Sequence, residues 1–244
     1  MTQTSFVTGD GVQVPAVTSD QMREVDRIAM EETGPNLYQM MENAGRSLAR
    51  VIMRILGAEW RDGTVVVLAG TGGNGGGGIC GARHLANHGG NVAVVVSEDS
   101  RLRQVPTQQM STYRATGGRV LGKDELGGMY PSLIVDAVLG YNLSGPPQGK
   151  ALHLLEWVLG RSEPVLSLDV PSGIDSTTGV APGVHVTASE TMTLALPKTG
   201  LGVPAAGNLW LADIGIPNET YRRLGVDVPG GVFGDEFVVP IRAD

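Results

Sequence analysis

Four polar residues could do chemistry together, because each follows a short apolar segment of the chain. Asp136 ends the segment LIVD, and Asp169 ends VLSLD, with Ser172 three residues further on. Asn74 lies in the glycine-rich stretch that follows TVVVL. Continuous apolar runs are typical of buried parallel strands, whose carboxyl ends meet at the edge of the sheet where ligands bind. The sequence therefore predicts that these four side chains share one crevice.

The chemistry that this set favours is cation binding beside an acid–base group. Carboxylate, amide and hydroxyl oxygens are the ligands that hard cations take, and Asn74, Asp136 and Ser172 supply them. A cation would also offset the charge of two aspartates placed near one another. Asp169 then remains free to act as an acid or base, or to bind a ribose hydroxyl. The structural alternative is that an aspartate at a strand end caps the next turn.

The stretch from Gly70 to Gly78 is nearly all glycine. We predict a loop here, between a strand over residues 64–68 and a helix over residues 79–88. A strand, a glycine loop and a helix start in that order predict an anion site, because backbone N–H groups and the positive end of the helix dipole can approach the ligand. A tight turn that needs positive φ would account for one or two glycines, but not for this number.

Other residues of the same region keep further functions open. Gly70, Gly72 and Gly75 match the GxGxxG pattern of dinucleotide binding, and Glu98 follows at the end of the next predicted strand. Because several registers fit so many glycines by chance, an NAD-dependent dehydrogenase stays an alternative. Cys80 is either a buried small residue or a thiolate nucleophile near a helix start.

The elements that must position these residues predict an α/β fold with a mainly parallel central sheet. Apolar runs separated by segments of helical periodicity indicate strands covered on both faces. The predicted strands are 64–68, 91–96, 120–121, 133–136, 165–169, 191–196 and 208–214, with an edge strand near 237–241. The predicted helices are 19–32, capped by Ser19 and Asp20, then 37–56, 79–88, 107–115, 150–159 and 218–224. Residues 1–17 are predicted as a loosely docked arm, and residues 18–244 as a single domain.

Composition narrows the class of protein. A chain of 244 residues is long enough for one large domain with a sizeable core. Its net charge of -7 argues against a nucleic-acid-binding face. A single cysteine excludes an internal disulfide and fits a reducing compartment. No run approaches the ~18 apolar residues of a membrane span, and the amino terminus lacks the features of a signal peptide. We therefore expect a cytoplasmic protein without a nucleic-acid or membrane partner.

Four motifs, in order and spacing, resemble those of the YjeF N-terminal domain family, the NAD(P)HX epimerases. They are Met40–Gly45 (MMENAG), Gly72–Gly78 followed by Ala82–Leu85 (ARHL), Asp136–Gly140 (DAVLG) and Asp169–Gly173 (DVPSG), and Thr193–Lys198 (TLALPK) is also similar. The resemblance covers most of the chain and implies a Rossmann-like three-layer α/β/α sandwich, often a homodimer. It further implies repair of hydrated nicotinamide cofactors by interconversion of the R and S epimers of NADHX and NADPHX.

The resemblance also implies roles for particular residues. It places a potassium ion (K+) on Asn74, Asp136 and Ser172, and it implies that Asp169 contacts the dinucleotide. We expect Asp169 to be the catalytic residue that moves the proton when water leaves and returns at the hydrated ring carbon. The other dinucleotide-binding positions that the resemblance implies are Gly73, Asn74, Gly75, Gly76, Gly77, Gly140, Tyr141, Asn142, Leu143, Ser144, Gly145 and Pro146. Lys198 is expected either to meet a phosphate or to be solvated.

A dehydratase is the functional partner that the resemblance implies, and it uses only the S epimer. Many bacterial members carry this dehydratase fused to the domain. The present chain is too short to hold both, so we expect the dehydratase to be a separate protein.

The glycine-rich motif departs from the family pattern at two positions. Where the family has GNNGGDG, this chain has GGNGGGG. Gly73 removes an amide, and Gly77 removes a carboxylate at the helix start, each contact worth roughly 1–3 kcal/mol. The implied cation ligands are retained. Two alternatives to an epimerase follow: a catalytically impaired or repurposed relative that acts as a nucleotide-ligand binding or dimeric interaction module, and a different reaction on a small substrate in the same crevice.

Overall fold

The computed structural model describes residues 5–244 and is built around one ten-stranded sheet in the order β2-β1-β10-β9-β8-β7-β6-β3-β4-β5. The strands from β9 to β5 in that order all run parallel, whereas β10, β1 and β2 pair antiparallel at the other end. The strands are β1 (Phe6–Thr8), β2 (Gln13–Val14), β3 (Thr64–Ala69), β4 (Asn91–Val96), β5 (Arg119–Val120), β6 (Leu133–Ala137), β7 (Val165–Leu168), β8 (Glu190–Leu194), β9 (Asn208–Ala212) and β10 (Val238–Ala243).

Helices cover both faces of the sheet, which confirms the predicted three-layer α/β/α arrangement. They are α1 (Ser19–Ile28), α2 (Leu37–Leu56), α3 (Gly73–Asn87), α4 (Gln104–Arg114), α5 (Gly149–Leu159) and α6 (Asn218–Arg223). Apolar residues of α2, α3 and α4 share one core cluster with alternate residues of β3, β4 and β6. The intervening strand residues pack against α5 on the opposite face. A third cluster joins α1 and α6 to β9 and β10.

The amino-terminal segment is not the loosely docked arm that the sequence predicts. Residues 1–4 lie outside the described part of the chain, but β1 pairs with β10, with Phe6 opposite Ala243. Phe6 is fully buried. The same pairing corrects the expected edge strand near 237–241, because β10 lies between β9 and β1. Apolar residues at positions 6, 7 and 14 supply the buried side chains that hold this segment to the sheet.

The glycine-rich stretch is mostly helical, and the prediction of a loop up to Gly78 is wrong. Helix α3 begins at Gly73 with Gly72 as its N-cap, so the loop is only residues 70–72. A Cβ built on Gly75 would lie 1.9 Å from the Gly70 carbonyl oxygen, and one on Gly78 would lie 2.6 Å from Ala137 Cβ. Glycine destabilises a helix through its backbone entropy, but here only glycine lets the helix pack directly against the end of β3 and against β6.

Smaller differences concern helix ends. The N-cap of α1 is Thr18, and not the predicted Ser19 or Asp20. The Thr18 hydroxyl accepts from the Gln21 amide, and the Gln21 side chain accepts from the Thr18 amide, which forms a capping box. Helix α1 ends at Ile28, and a π-helical turn over Ala29–Thr33 follows it. The helix predicted over residues 37–56 is confirmed at both ends. Within residues 5–244, no helix combines the length and apolar character needed to cross a bilayer.

Candidate active site

The predicted crevice lies where the order of the parallel strands reverses, between β3 and β6. Asn74 is the second residue of α3, beyond the end of β3, Asp136 lies near the end of β6, and Ser172 follows β7. Asn74 Nδ2 donates to the Leu139 carbonyl oxygen at 3.0 Å. Ser172 Oγ lies 3.2 Å from that same oxygen and 2.5 Å from Asp136 Oδ1. The three predicted cation ligands are thus linked around one backbone carbonyl.

Asp136 is a completely buried carboxylate held by neutral donors. It accepts hydrogen bonds from the hydroxyl and amide of Ser172, from the Ser167 hydroxyl at 2.8 Å and from the Val138 amide at 3.3 Å. Burial raises the pKa of Asp136 above its usual range, and these hydrogen bonds oppose that shift. Among residues 5–244, no lysine, arginine or histidine forms an ion pair with it.

The oxygen ligands around Asp136 fit a hard cation. They are a carboxylate, a hydroxyl and a side-chain amide, the groups that such cations take. Asn74 presents its nitrogen to the Leu139 carbonyl, and rotation of the amide by a half-turn would present its oxygen instead. A bound cation would also give the buried Asp136 a positively charged partner.

Asp169 has a different environment, with one carboxylate oxygen occupied and the other free. Asp169 Oδ1 lies 2.5 Å from Lys198 Nζ and receives weaker contacts from the Thr193 hydroxyl at 3.5 Å and the Leu194 amide at 3.4 Å. No residue in the range 5–244 donates a hydrogen bond to Oδ2. The Asp169 side chain is only 5% exposed, so this oxygen is nearly enclosed.

The free oxygen of Asp169 faces the predicted dinucleotide-binding positions. A Cβ built on Gly140 would lie 3.6 Å from Asp169 Oδ2 and 3.4 Å from Asn74 Cγ. Gly140 therefore lies beside both Asn74 and Asp169. Asp169 also has a positive φ of 71°, a conformation that non-glycine residues rarely adopt and that is enriched at functional sites.

Helix α1 holds the loop that follows β6, a contact that the sequence did not predict. The Tyr141 hydroxyl donates to Asp26 Oδ2 at 2.5 Å, and Arg23 Nε donates to Asn142 Oδ1 at 2.8 Å. Burial raises the pKa of Asp26, and the Tyr141 hydrogen bond opposes that shift. Arg23 and Asp26 are three residues apart and so share a helix face, but nothing in the sequence indicates which loop that face meets.

The other predicted binding positions differ in exposure. In the predicted loop, Asn142, Ser144 and Pro146 are exposed, while Leu143 and Gly145 are half-buried. Gly73 is exposed with open space around it. Gly75, Gly76 and Gly77 are buried inside α3, so only the start of the helix faces the crevice. The amides of that first turn have no partner within the helix, which leaves them available to an anion.

Lys198 and Glu98 are both engaged in ion pairs. Lys198 is 1% exposed, so the expectation of a solvated lysine is wrong, and its ammonium meets Asp169 in this structure. The Glu98 carboxylate, which the dehydrogenase alternative assigns to a ribose, lies 2.9 Å from Lys150 Nζ.

The MENAG and ARHL motifs meet in a cluster that joins α2 to α3. Glu42 accepts from Arg83 Nη2 at 2.6 Å and contacts His84 Nε2 at 2.8 Å. Cys80 Sγ lies 3.4 Å from Glu42 and 3.3 Å from Arg83 Nη2, and a Cβ on Gly45 would lie 2.4 Å from that sulfur.

The position of Cys80 excludes the nucleophile interpretation. Cys80 lies about two turns inside α3, and burial raises the pKa of its thiol to about 12. Glu42, Cys80 and His84 offer metal-ligating atoms within 4.8 Å of one another, but the Arg83 guanidinium contacts all three. This cluster is therefore a packing contact between the two helices.

The fold and the crevice together define a Rossmann-like α/β domain. Where the order of its parallel strands reverses, it has a buried carboxylate, Asp136, and an aspartate with one free oxygen, Asp169. Comparison with protein families identifies it further. The family model described as YjeF-related protein N-terminus matches residues 37–200, and the chain therefore belongs to the YjeF N-terminal family.

Similar proteins cover most of the chain. An NAD(P)H-hydrate epimerase of Dehalogenimonas lykanthroporepellens is 45% identical over 91% of this chain and 90% of that protein. A bifunctional NAD(P)H-hydrate repair enzyme Nnr of Salinibacter ruber is 38% identical over 89% of this chain, which spans 44% of that longer protein. The crystal structure of the yeast protein YNL200c (ynu0) has a TM-score of 0.83 at 25% identity, covering 93% of this chain and all of that chain.

Proposed function

We propose that this protein is an NAD(P)H-hydrate epimerase, an isomerase that interconverts the R and S epimers of hydrated NADH and NADPH. The observation that carries the proposal is Asp169, an enclosed carboxylate with one oxygen free toward Asn74 and Gly140. The 45% identity to a protein named NAD(P)H-hydrate epimerase supports the same activity.

The proposed reaction is loss of water from the hydrated ring carbon and its return on the other face. The C–O bond breaks with its electron pair going to oxygen, which takes a proton and leaves as water, while the ring nitrogen's lone pair stabilises the carbon. Asp169 Oδ2 is the group that would give this proton and take one back from the incoming water. Its negative charge would also stabilise the cationic ring between the two steps.

The proposal includes a potassium ion held by Asn74, Asp136 and Ser172. When bound, the ion would supply positive charge that offsets Asp136 and attracts the anionic dinucleotide. The first-turn amides of α3 would bind phosphate oxygens, and the loop from Gly140 to Pro146 would cover the dinucleotide. These residues orient the substrate so that its ring reaches Asp169.

The test is epimer exchange with purified protein. R-NADPHX is incubated with the protein, an S-specific dehydratase and ATP, and formation of NADPH is compared with the rate without the protein. We expect acceleration that Asp169→Asn removes. A folded wild-type protein that does not exceed the uncatalysed rate would overturn the epimerase proposal.

Binding without turnover is the second candidate, and Gly73 favours it because it leaves the exposed start of α3 without a side chain. Gly77 lies buried inside α3, so the expectation that it removes a carboxylate at the helix start is wrong. Calorimetric binding of NADP+ by a protein that shows no epimer exchange would support this binding-module alternative. The homodimer, the cytoplasmic location and the separate dehydratase stay predictions.

A further inference from the structure

Lys198 is the only ammonium that meets Asp169 among residues 5–244. Its side chain is 1% exposed, and its three hydrogens have acceptors at Asp169 Oδ1, at the Leu194 carbonyl 2.9 Å away and at the Thr193 hydroxyl 3.4 Å away. A fully buried lysine with every donor engaged has a fixed position. Its ammonium therefore also fixes the orientation of the carboxylate that it contacts.

Two carboxylates and one phenol surround this ammonium. The Tyr141 ring centroid lies 5.7 Å from Lys198 Nζ, and the Tyr141 hydroxyl donates to Asp26. Lys198 and Asp169 both act electrostatically on Asp26. The charged and titratable groups that face Lys198 are thus Asp26 from α1, Tyr141 from the loop after β6 and Asp169 from the end of β7. One ammonium therefore faces two carboxyl groups.

Stability alone does not account for the pair. A buried ion pair is often no more stable than an apolar pair of similar volume, because both charges must be desolvated. Asp169 additionally has a positive φ of 71°, which costs folding free energy. A pair that is costly in both respects, and that leaves one carboxylate oxygen free in a crevice, is typical of a functional site.

We infer that Lys198 is a positioning residue for the reaction: it holds Asp169 by Oδ1, so that Oδ2, the oxygen that gives and takes the proton, faces the substrate. This inference rests on the proposed epimerase function. The three donors of Lys198 are engaged by Asp169, Thr193 and Leu194, so Lys198 acts through Asp169. It neither gives nor takes the proton that moves at the ring carbon.

A double-mutant cycle tests the inference. Lys198→Met should lower kcat by about tenfold or more, with a smaller change in KM, because the proton-transferring carboxylate loses its position. Asp169→Asn should lower kcat by about a hundredfold or more. Because Lys198 acts through Asp169, adding Lys198→Met to Asp169→Asn should change kcat by less than about twofold. Lys198→Arg, which keeps the charge, should recover most of the kcat lost in Lys198→Met.

The outcomes are separable. Equal fold-losses from Lys198→Met in the wild type and in the Asp169→Asn background would overturn the inference, since they indicate a purely structural role. An unchanged kcat in Lys198→Met, with an active wild type, would also overturn it and leave the proposed function standing. An inactive wild type would overturn the proposed function and this inference together.

Two further variants control the cycle. Lys123 is exposed, and Lys123→Met makes the same chemical change away from the crevice, with no effect expected on kcat. If Lys198→Met does not fold, Lys198→Gln replaces it in both backgrounds, because it removes the charge but keeps a hydrogen-bond donor for the buried Asp169.

Discussion

Two buried aspartates in one crevice differ in what holds them, and this difference separates their roles. Asp136 accepts four hydrogen bonds from neutral groups, and no cationic side chain in the described residues 5–244 pairs with it. Asp169 has an ammonium on one oxygen, and within the described part of the chain no group donates to the other. The first arrangement suits a cation ligand, and the second suits a group that exchanges a proton with substrate.

The cation role can be tested without an activity assay. Potassium chloride, at tenfold its dissociation constant, should stabilise the wild type by roughly 1.4 kcal/mol and raise Tm by about 3–6 °C relative to choline chloride. Asn74→Ala should abolish this difference, because it removes one ligand. Asn87→Ala, at the exposed far end of the same helix, is the matched control and should retain it. Equal melting temperatures of the wild type in the two salts would contradict a potassium site.

Cys80 should be unreactive in the folded protein. Burial raises the pKa of its thiol to about 12, so the thiolate share at pH 8 falls from roughly a quarter, for a usual pKa near 8.5, to about one in ten thousand. Labelling with iodoacetamide at pH 8 should therefore be at least about a hundredfold slower than in urea. Labelling of the native protein at the rate of a free cysteine would show that the thiol is neither buried nor neutral.

The structure of helix α3 explains why the prediction of a loop up to Gly78 was wrong. Composition predicts a loop, because glycine disfavours helix, but Gly75, Gly76 and Gly78 each lie against another part of the protein. The signal for close packing lies in residues far along the chain, such as Met41 and Ala137, and a single sequence does not reveal that contact. The loop that leads into the crevice is accordingly shorter than predicted, since it is only residues 70–72.

Two alanine substitutions in α3 should have opposite effects. Gly75→Ala places a Cβ 1.9 Å from the Gly70 carbonyl oxygen, so we expect a loss of about 2 kcal/mol or more in the free energy of unfolding. Gly73→Ala meets no atom within 4 Å, so we expect no loss and a gain of up to about 1 kcal/mol. Urea denaturation measures both values. A destabilised Gly73→Ala with an unaffected Gly75→Ala would contradict the packing of this helix.

At the scale of the whole molecule, the parallel sheet and its crevice were predictable, whereas the contacts across the crevice were not. Apolar runs located β3, β4, β6 and β7, and the polar residues after them came together as expected. The contacts of Lys198 with Asp169 and of Asp26 with Tyr141 were not predicted, because the partners are distant in sequence. Only the folded chain shows that Lys198 and Asp26 both approach Tyr141. The prediction of a loosely docked amino-terminal arm failed for the same reason, since β1 pairs with β10, which lies at the opposite terminus.

The first strand should contribute measurably to stability. Phe6 is fully buried beside β10, so Phe6→Ala should lower the free energy of unfolding by about 3–5 kcal/mol. Gln13→Ala, an exposed position on the adjacent strand, should change it by no more than about 0.5 kcal/mol. Urea denaturation again provides the values. Equal effects of the two substitutions would show that the amino-terminal strands are not part of the folded core.

The measurement that most directly tests the proposed function is epimer equilibration without any coupling enzyme. Pure R-NADPHX is mixed with the protein, and the two epimers are separated chromatographically over time. We expect the wild type to reach the equilibrium R to S ratio faster than the uncatalysed sample, and Asp169→Asn to follow the uncatalysed rate. Equilibration by Asp169→Asn as fast as by the wild type would contradict the role of this carboxylate, and no acceleration by the folded wild type would contradict the epimerase itself.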